Sequence, residues 1–66
     1  MKLQQRVKIT GGMNEFVGRT GTVIDEQMDG RTKLYRVQLD TPVEVEGVDQ
    51  VTDDLWSRQY LKIVRK

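Results

Sequence analysis

Between Arg6 and Thr10 polar and apolar residues alternate without a break, Val7 and Ile9 against Arg6, Lys8 and Thr10. A period of two puts the apolar pair on one side of an extended chain and the charges on the other. That is the pattern of a strand with one buried face. Gly11-Gly12 ends the run, and Gly18 and Gly21 flank the return into Thr22-Val23-Ile24, residue types that fit a pleated surface. The alternation recurs at Tyr35, Val37 and Leu39, with Leu34, Arg36 and Gln38 on the opposite side. No apolar stripe of helical period is long enough to compete. The fold class is all-β.

The expected elements follow from the punctuation. A first strand covers about Gln5 to Thr10, and Met13 to Thr20 form a loop whose Phe16 and Val17 fold back onto the core. A second strand runs from about Gly21 to Gln27. Met28-Asp29-Gly30-Arg31 is a turn, because Asp-Gly between two strand-like runs marks a hairpin. Lys33 to Asp40 is the clearest strand, and Pro42 is expected to break it, since proline lacks the amide a central strand donates. Val43 to Glu46 alternates again. Gly47 reads as a turn or a bulge, and Val48 to Thr52 as a strand or a crossing loop. Asp53 to Ser57 reads as one helical turn capped by Asp53. The last strand, Tyr60 to Val64, turns Leu61 and Ile63 inward and Lys62 outward. Five short strands separated by turns predict a small barrel or a two-sheet sandwich.

Size narrows the chemistry. Sixty-six residues provide one core, and a chain of that length buries only about 60% of its unfolded surface. There is no cysteine and no histidine, so neither a disulfide nor the usual zinc site assists it. A single serine, Ser57, stands without a histidine to activate it, which nearly excludes nucleophilic catalysis. The chain is expected not to be an enzyme and to need no cofactor. No apolar run approaches the roughly 20 residues that span a bilayer, and no signal-like segment opens the chain. A cytoplasmic location and no membrane partner are the expectation.

Net charge is +1, but its distribution is uneven. Glu44, Glu46, Asp49, Asp53 and Asp54 fall in a stretch without lysine or arginine, whereas Lys2, Arg6, Lys8, Arg58, Lys62, Arg65 and Lys66 gather towards the ends. A two-faced molecule is the expectation. Carboxylates at Glu44 and Glu46, or at Asp53 and Asp54, bring charge but no recognised metal-ligand spacing, and the acidic stretch reads as a solvated face.

The segment Val7-Lys-Ile9, Gly11-Gly12, Gly18-Arg-Thr-Gly-Thr-Val23 and the later Tyr35-Val37-Leu39 alternation resembles the KOW-type members of the SH3-like barrel superfamily, over about Gln5 to Asp40. The resemblance implies a five-stranded SH3-like barrel with a short 3-10 turn before its last strand. It also implies binding of RNA, DNA or a ribonucleoprotein, with contacts carried by basic residues near the first strand and its loop. Arg6, Lys8 and Arg19 match that region, while Glu15 sets an acid in the loop. Two further families of small barrels share the outline: the accessory subunit of photosystem I, whose characteristic loop residues are not evident, and the plasmid-borne type II dihydrofolate reductase. The Val-Gln-Ile-Tyr segment of the latter is absent, Val37-Gln38-Leu39-Asp40 being the nearest stretch.

Two site readings result. In the first, Arg6, Lys8, Arg19, Lys62 and Arg65, with Lys66, line a basic stripe that holds nucleic-acid phosphates; the same charges also protect exposed strand edges. In the second, the chain is a protein-interaction or assembly module using Glu44 and Glu46 of the acidic segment with Ile24, Leu34 and Val64, which fall off the inward register and either form an exposed apolar patch or are covered. Trp56 and Tyr60 either close the core or offer stacking surfaces, and Phe16 is expected to act as a lid. Oligomeric state is left open.

Overall fold

The computed structural model describes residues 1–65; Lys66, assigned above to the basic stripe, lies outside the described residues. Five strands, β1 (Arg6–Ile9), β2 (Thr20–Asp29), β3 (Thr32–Val45), β4 (Val48–Ser57) and β5 (Leu61–Ile63), form one antiparallel sheet in the order β4-β3-β2-β1-β5. Two 3-10 turns interrupt them, Asn14–Phe16 between β1 and β2 and Arg58–Tyr60 immediately before β5. Among the described residues no helix is long and apolar enough to cross a membrane.

The expected barrel is not closed. β4 and β5 stand at opposite edges of the sheet and do not pair. β5 has only three residues and follows directly on a 3-10 turn, leaving too short a ladder to reach across. Instead, both 3-10 turns pack against β3, and the core is sealed by side chains rather than by a closing ladder.

One face of this sheet holds the core. Val7 and Ile9 of β1, Val23 of β2, and Tyr35, Val37, Leu39, Val43 and Val45 of β3 are buried there with Trp56 and Leu61. Each is worth about 1.5–3 kcal/mol for an aliphatic side chain removed from water. Phe16 joins them from the 3-10 turn of the β1–β2 loop, its ring edge-on to Trp56 at 5.3 Å between centroids and 76° between planes. Phe16 is the lid that the sequence predicts. Its neighbour Val17 is not folded back and lies in solvent.

The end of β3 and the end of β4 differ from the sequence reading. β3 does not stop at Pro42. Pairing with β2 is complete by Leu39, opposite Gly21, and pairing with β4 is irregular between Gln38 and Val43. Proline therefore sits where neither neighbour asks for its missing amide. The helical turn expected at Asp53 to Ser57 is instead the end of β4, held by the run Gln38↔Asp53 to Leu34↔Ser57, and the 3-10 turn lies one step later. Ile24 leaves the alternation because a register shift falls between Val23 and Asp25 of β2, and the extra residue of such a bulge is unpaired.

Candidate functional site

The polar face of β1 is where the basic candidates meet. Lys8 stands directly opposite Lys62 of β5 on one side and Thr20 of β2 on the other. Among the described residues neither lysine forms an ion pair, nor do Arg19 and Arg65. Like charges directly opposed across two strands destabilise the pair. Arg65 follows two residues after the end of β5. Arg19 precedes β2 and lines a shallow polar depression with Gly18, Thr20, Asp40 and Thr41.

Arg6 shares this face but is engaged. Its Nη1 and Nη2 donate to Oδ1 and Oδ2 of Asp40, each at 2.5 Å, and Nη1 also donates to Thr22 Oγ1 at 3.0 Å. Thr20 Oγ1 donates to the same carboxylate at 2.7 Å. The forked geometry is the strong form of this interaction, and it fastens β1, β2 and β3 together on the outer face. The Arg6 hydrogen bonds, then that of Thr20, pull the Asp40 carboxyl down from its usual 3.8 to about 2. Arg6 is thus a structural cation first, and the available margin is Lys8 and Lys62 flanked by Arg19 and Arg65.

The residues of the interaction reading do not form one patch. Leu34 lies near the start of β3 and Glu44 near its end. Glu44 and Glu46 are exposed beside the β3–β4 hairpin. Val64 is tied by its N–H to the Arg6 carbonyl at 2.9 Å, and Ile24 is at the bulge. Further along the acidic segment, Asp53 accepts from Arg36 Nη1 at 2.8 Å, so part of that face is internally neutralised.

Leu34 instead lines a cleft that the sequence does not announce. A concavity of about 400 Å³ opens between the β1–β2 loop, the start of β3, the end of β4 and the second 3-10 turn. Phe16 and Trp56 contribute aromatic surface, Met13 and Tyr60 flank them, Leu34 and Leu55 add aliphatic surface, and Asp54 is the sole charged residue of the lining. Gly11 makes the close approach possible, and Gly12 supplies the left-handed backbone beside it. A Cβ on Gly11 would stand 2.5 Å from Cδ1 of Tyr60, so the ring lies against bare backbone there. A Cβ on Gly12, whose φ is +91°, would stand 3.6 Å from the Trp56 indole nitrogen. The Thr10 N–H donates to the Tyr60 carbonyl at 2.8 Å and fixes the loop to the turn. Trp56 therefore serves the core and Tyr60 remains partly exposed. The signal for the cleft was the Gly11-Gly12-Met13 run together with Trp56 and Tyr60. Their proximity depends on long-range pairing that local patterning does not encode.

No family model, no curated protein and no solved structure matches this chain.

Proposed function

We propose that the chain is a non-enzymatic, cytoplasmic binding module, KOW-like in its first three strands, that holds nucleic acid or a ribonucleoprotein against its basic margin. The observation that carries this reading is the direct opposition of Lys8 and Lys62, neither of which has an acid paired with it among the described residues. A cross-strand pair of like charges costs stability, and a phosphate backbone laid along it would offset that cost. Arg19 and Arg65 extend the positive surface, and the bidentate pair with Asp40 holds Arg6 in place beside it. Such contacts recognise phosphate and position the nucleic acid without reading its bases.

Fluorescence anisotropy with a labelled single-stranded RNA, repeated over a range of salt, tests the reading. The logarithm of the binding constant should fall linearly with the logarithm of salt, with a slope of about −0.7 per phosphate contacted. The double variant Lys8→Glu/Lys62→Glu should abolish binding with its fold intact. Lys8→Glu alone should weaken binding yet stabilise the protein by about 0.2–1 kcal/mol, because it turns a repulsive cross-strand pair into an attractive one. Absence of binding at low salt, or unchanged binding by the double variant, would overturn the proposal.

A further inference from the structure

The cleft is chemically unlike the margin. Its lining contains no lysine or arginine, and its one charged group is Asp54, so a phosphate is the wrong occupant and a cation the complementary one. Asp54 Oδ1 accepts the Leu55 N–H at 2.8 Å; among the described residues no cation pairs with this carboxylate. The adjacent Asp53 is instead paired with Arg36, and Asp54 is the acid that lines the concavity.

Aromatic surface lies next to it. Trp56 and Tyr60 both line the cleft; Trp56 is only 6% exposed, so the ring open to a ligand is that of Tyr60, 38% exposed, and aromatic faces attract ammonium and guanidinium groups. The Trp56 indole nitrogen lies beside Gly12. Glycine at position 12 leaves its edge uncovered. The cleft thus offers a carboxylate acceptor, an indole donor and apolar walls. A volume of about 400 Å³ falls at the small end of ligand sites, a size for a side chain and its neighbours rather than a large cofactor.

We propose that this cleft is a docking site for a lysine or arginine side chain, flanked by apolar residues, on an extended segment of a partner protein. The cation sits between the Asp54 carboxylate and the Tyr60 ring, the indole N–H donates to a backbone carbonyl of the segment, and the flanking apolar residues cover Met13, Leu34 and Leu55. The site is independent of the basic margin, and each stands or falls without the other.

The chain has one tryptophan, so its indole N–H gives a single, self-assigning NMR signal at the cleft. The probes are the blocked tripeptides Leu-Arg-Leu and Leu-Gln-Leu, titrated into the full-length 15N-labelled protein. The arginine peptide should shift the indole signal saturably and bind at least tenfold more tightly than the glutamine peptide. Asp54→Asn, which keeps the acceptor for Leu55, should bring the two peptides within twofold of each other. Tyr60→Leu, a second variant that keeps the turn packed, should weaken the arginine peptide several-fold. Equal response to both peptides, no saturable shift, or an unchanged preference in both variants overturns the proposal. So does an indole signal that moves with protein concentration alone, which would assign the cleft to a second copy, or one that moves only with an oligonucleotide.

Discussion

The basic margin and the aromatic cleft are built from the same short elements, yet they carry opposite chemistry. The margin is open and polar, made by neighbouring strands whose outward residues happen to be lysines. The cleft is concave and mostly apolar, made where a loop, a strand end and a 3-10 turn converge, with an acid as its only charge. The difference lies in what each needs from the fold. The margin needs only pairing of β1 with β5, because the period of two then fixes which side chains face outward. The cleft needs the glycine-bearing loop, Trp56 of β4 and Tyr60 of the turn to hold their places together, so it is the more easily broken.

Trp56→Ala is the harshest way to break the comparison. The indole is part of the buried core, packs edge-on to Phe16 and lines the cleft. Truncation of a buried aromatic residue costs about 3–5 kcal/mol, which is comparable with the whole stability of a core this small. Urea titration should show a variant largely unfolded without denaturant, and both binding surfaces should vanish together. A cooperative transition retained near the parental midpoint would mean that Trp56 belongs to the cleft alone.

Gly11→Ala separates the two regions instead of destroying both. The new Cβ would meet Tyr60 at Cδ1 and Cε1, within 2.5 and 3.0 Å, and the ring must swing away from the loop. Overpacking of this kind costs about 1–3 kcal/mol, and the partial exposure of Tyr60 places the expected cost near the lower end. Urea titration should show the loss. In amide spectra the cleft residues should shift while Lys8 and Lys62 stay put, and RNA binding should be nearly unchanged. Equal perturbation of both regions would show that they are one mechanical unit.

How much of this was legible in the sequence follows the same division. The all-β class, a hairpin turn within Met28 to Arg31 (β2 itself running on to Asp29) and the inward set Val7, Ile9, Tyr35, Val37 and Leu39 all follow from alternation and turn chemistry, which act over a few residues. A basic stripe containing Lys8 and Lys62 was an expectation, but their direct opposition comes from the long-range pairing of β1 with β5. Asp53 to Ser57 was misread because adjacent aspartates imitate a helix cap, and the β3 ladder overrides that local preference. Closure of the barrel was overestimated since nothing local reports how short β5 is. The engagement of Arg6 by Asp40 joins residues 34 positions apart, and the cleft assembles from segments equally remote. Neither has a local signature.

The gentlest test concerns Arg6, the one cation on the margin's face that the fold has already claimed. The Asp40 carboxyl is held at about 2 against the usual 3.8 by hydrogen bonds from Arg6 and Thr20. A depressed folded value means that the unfolded chain binds the proton first, so stability rises with pH between the two values. The stabilisation is fully present above about pH 4 and is lost as pH falls towards 2. Asp40→Asn should flatten that part of the stability profile relative to the parent and cost the same amount at neutral pH, a small one because the pair is exposed to solvent. The same substitution frees the Arg6 guanidinium beside Lys8. RNA binding should then tighten modestly, and its salt slope should steepen by about 0.7, the increment for one more phosphate contact on a single strand. An unchanged slope would place Arg6 outside the margin. A steeper one would show that Asp40 sets how many of the face's cations a nucleic acid can reach.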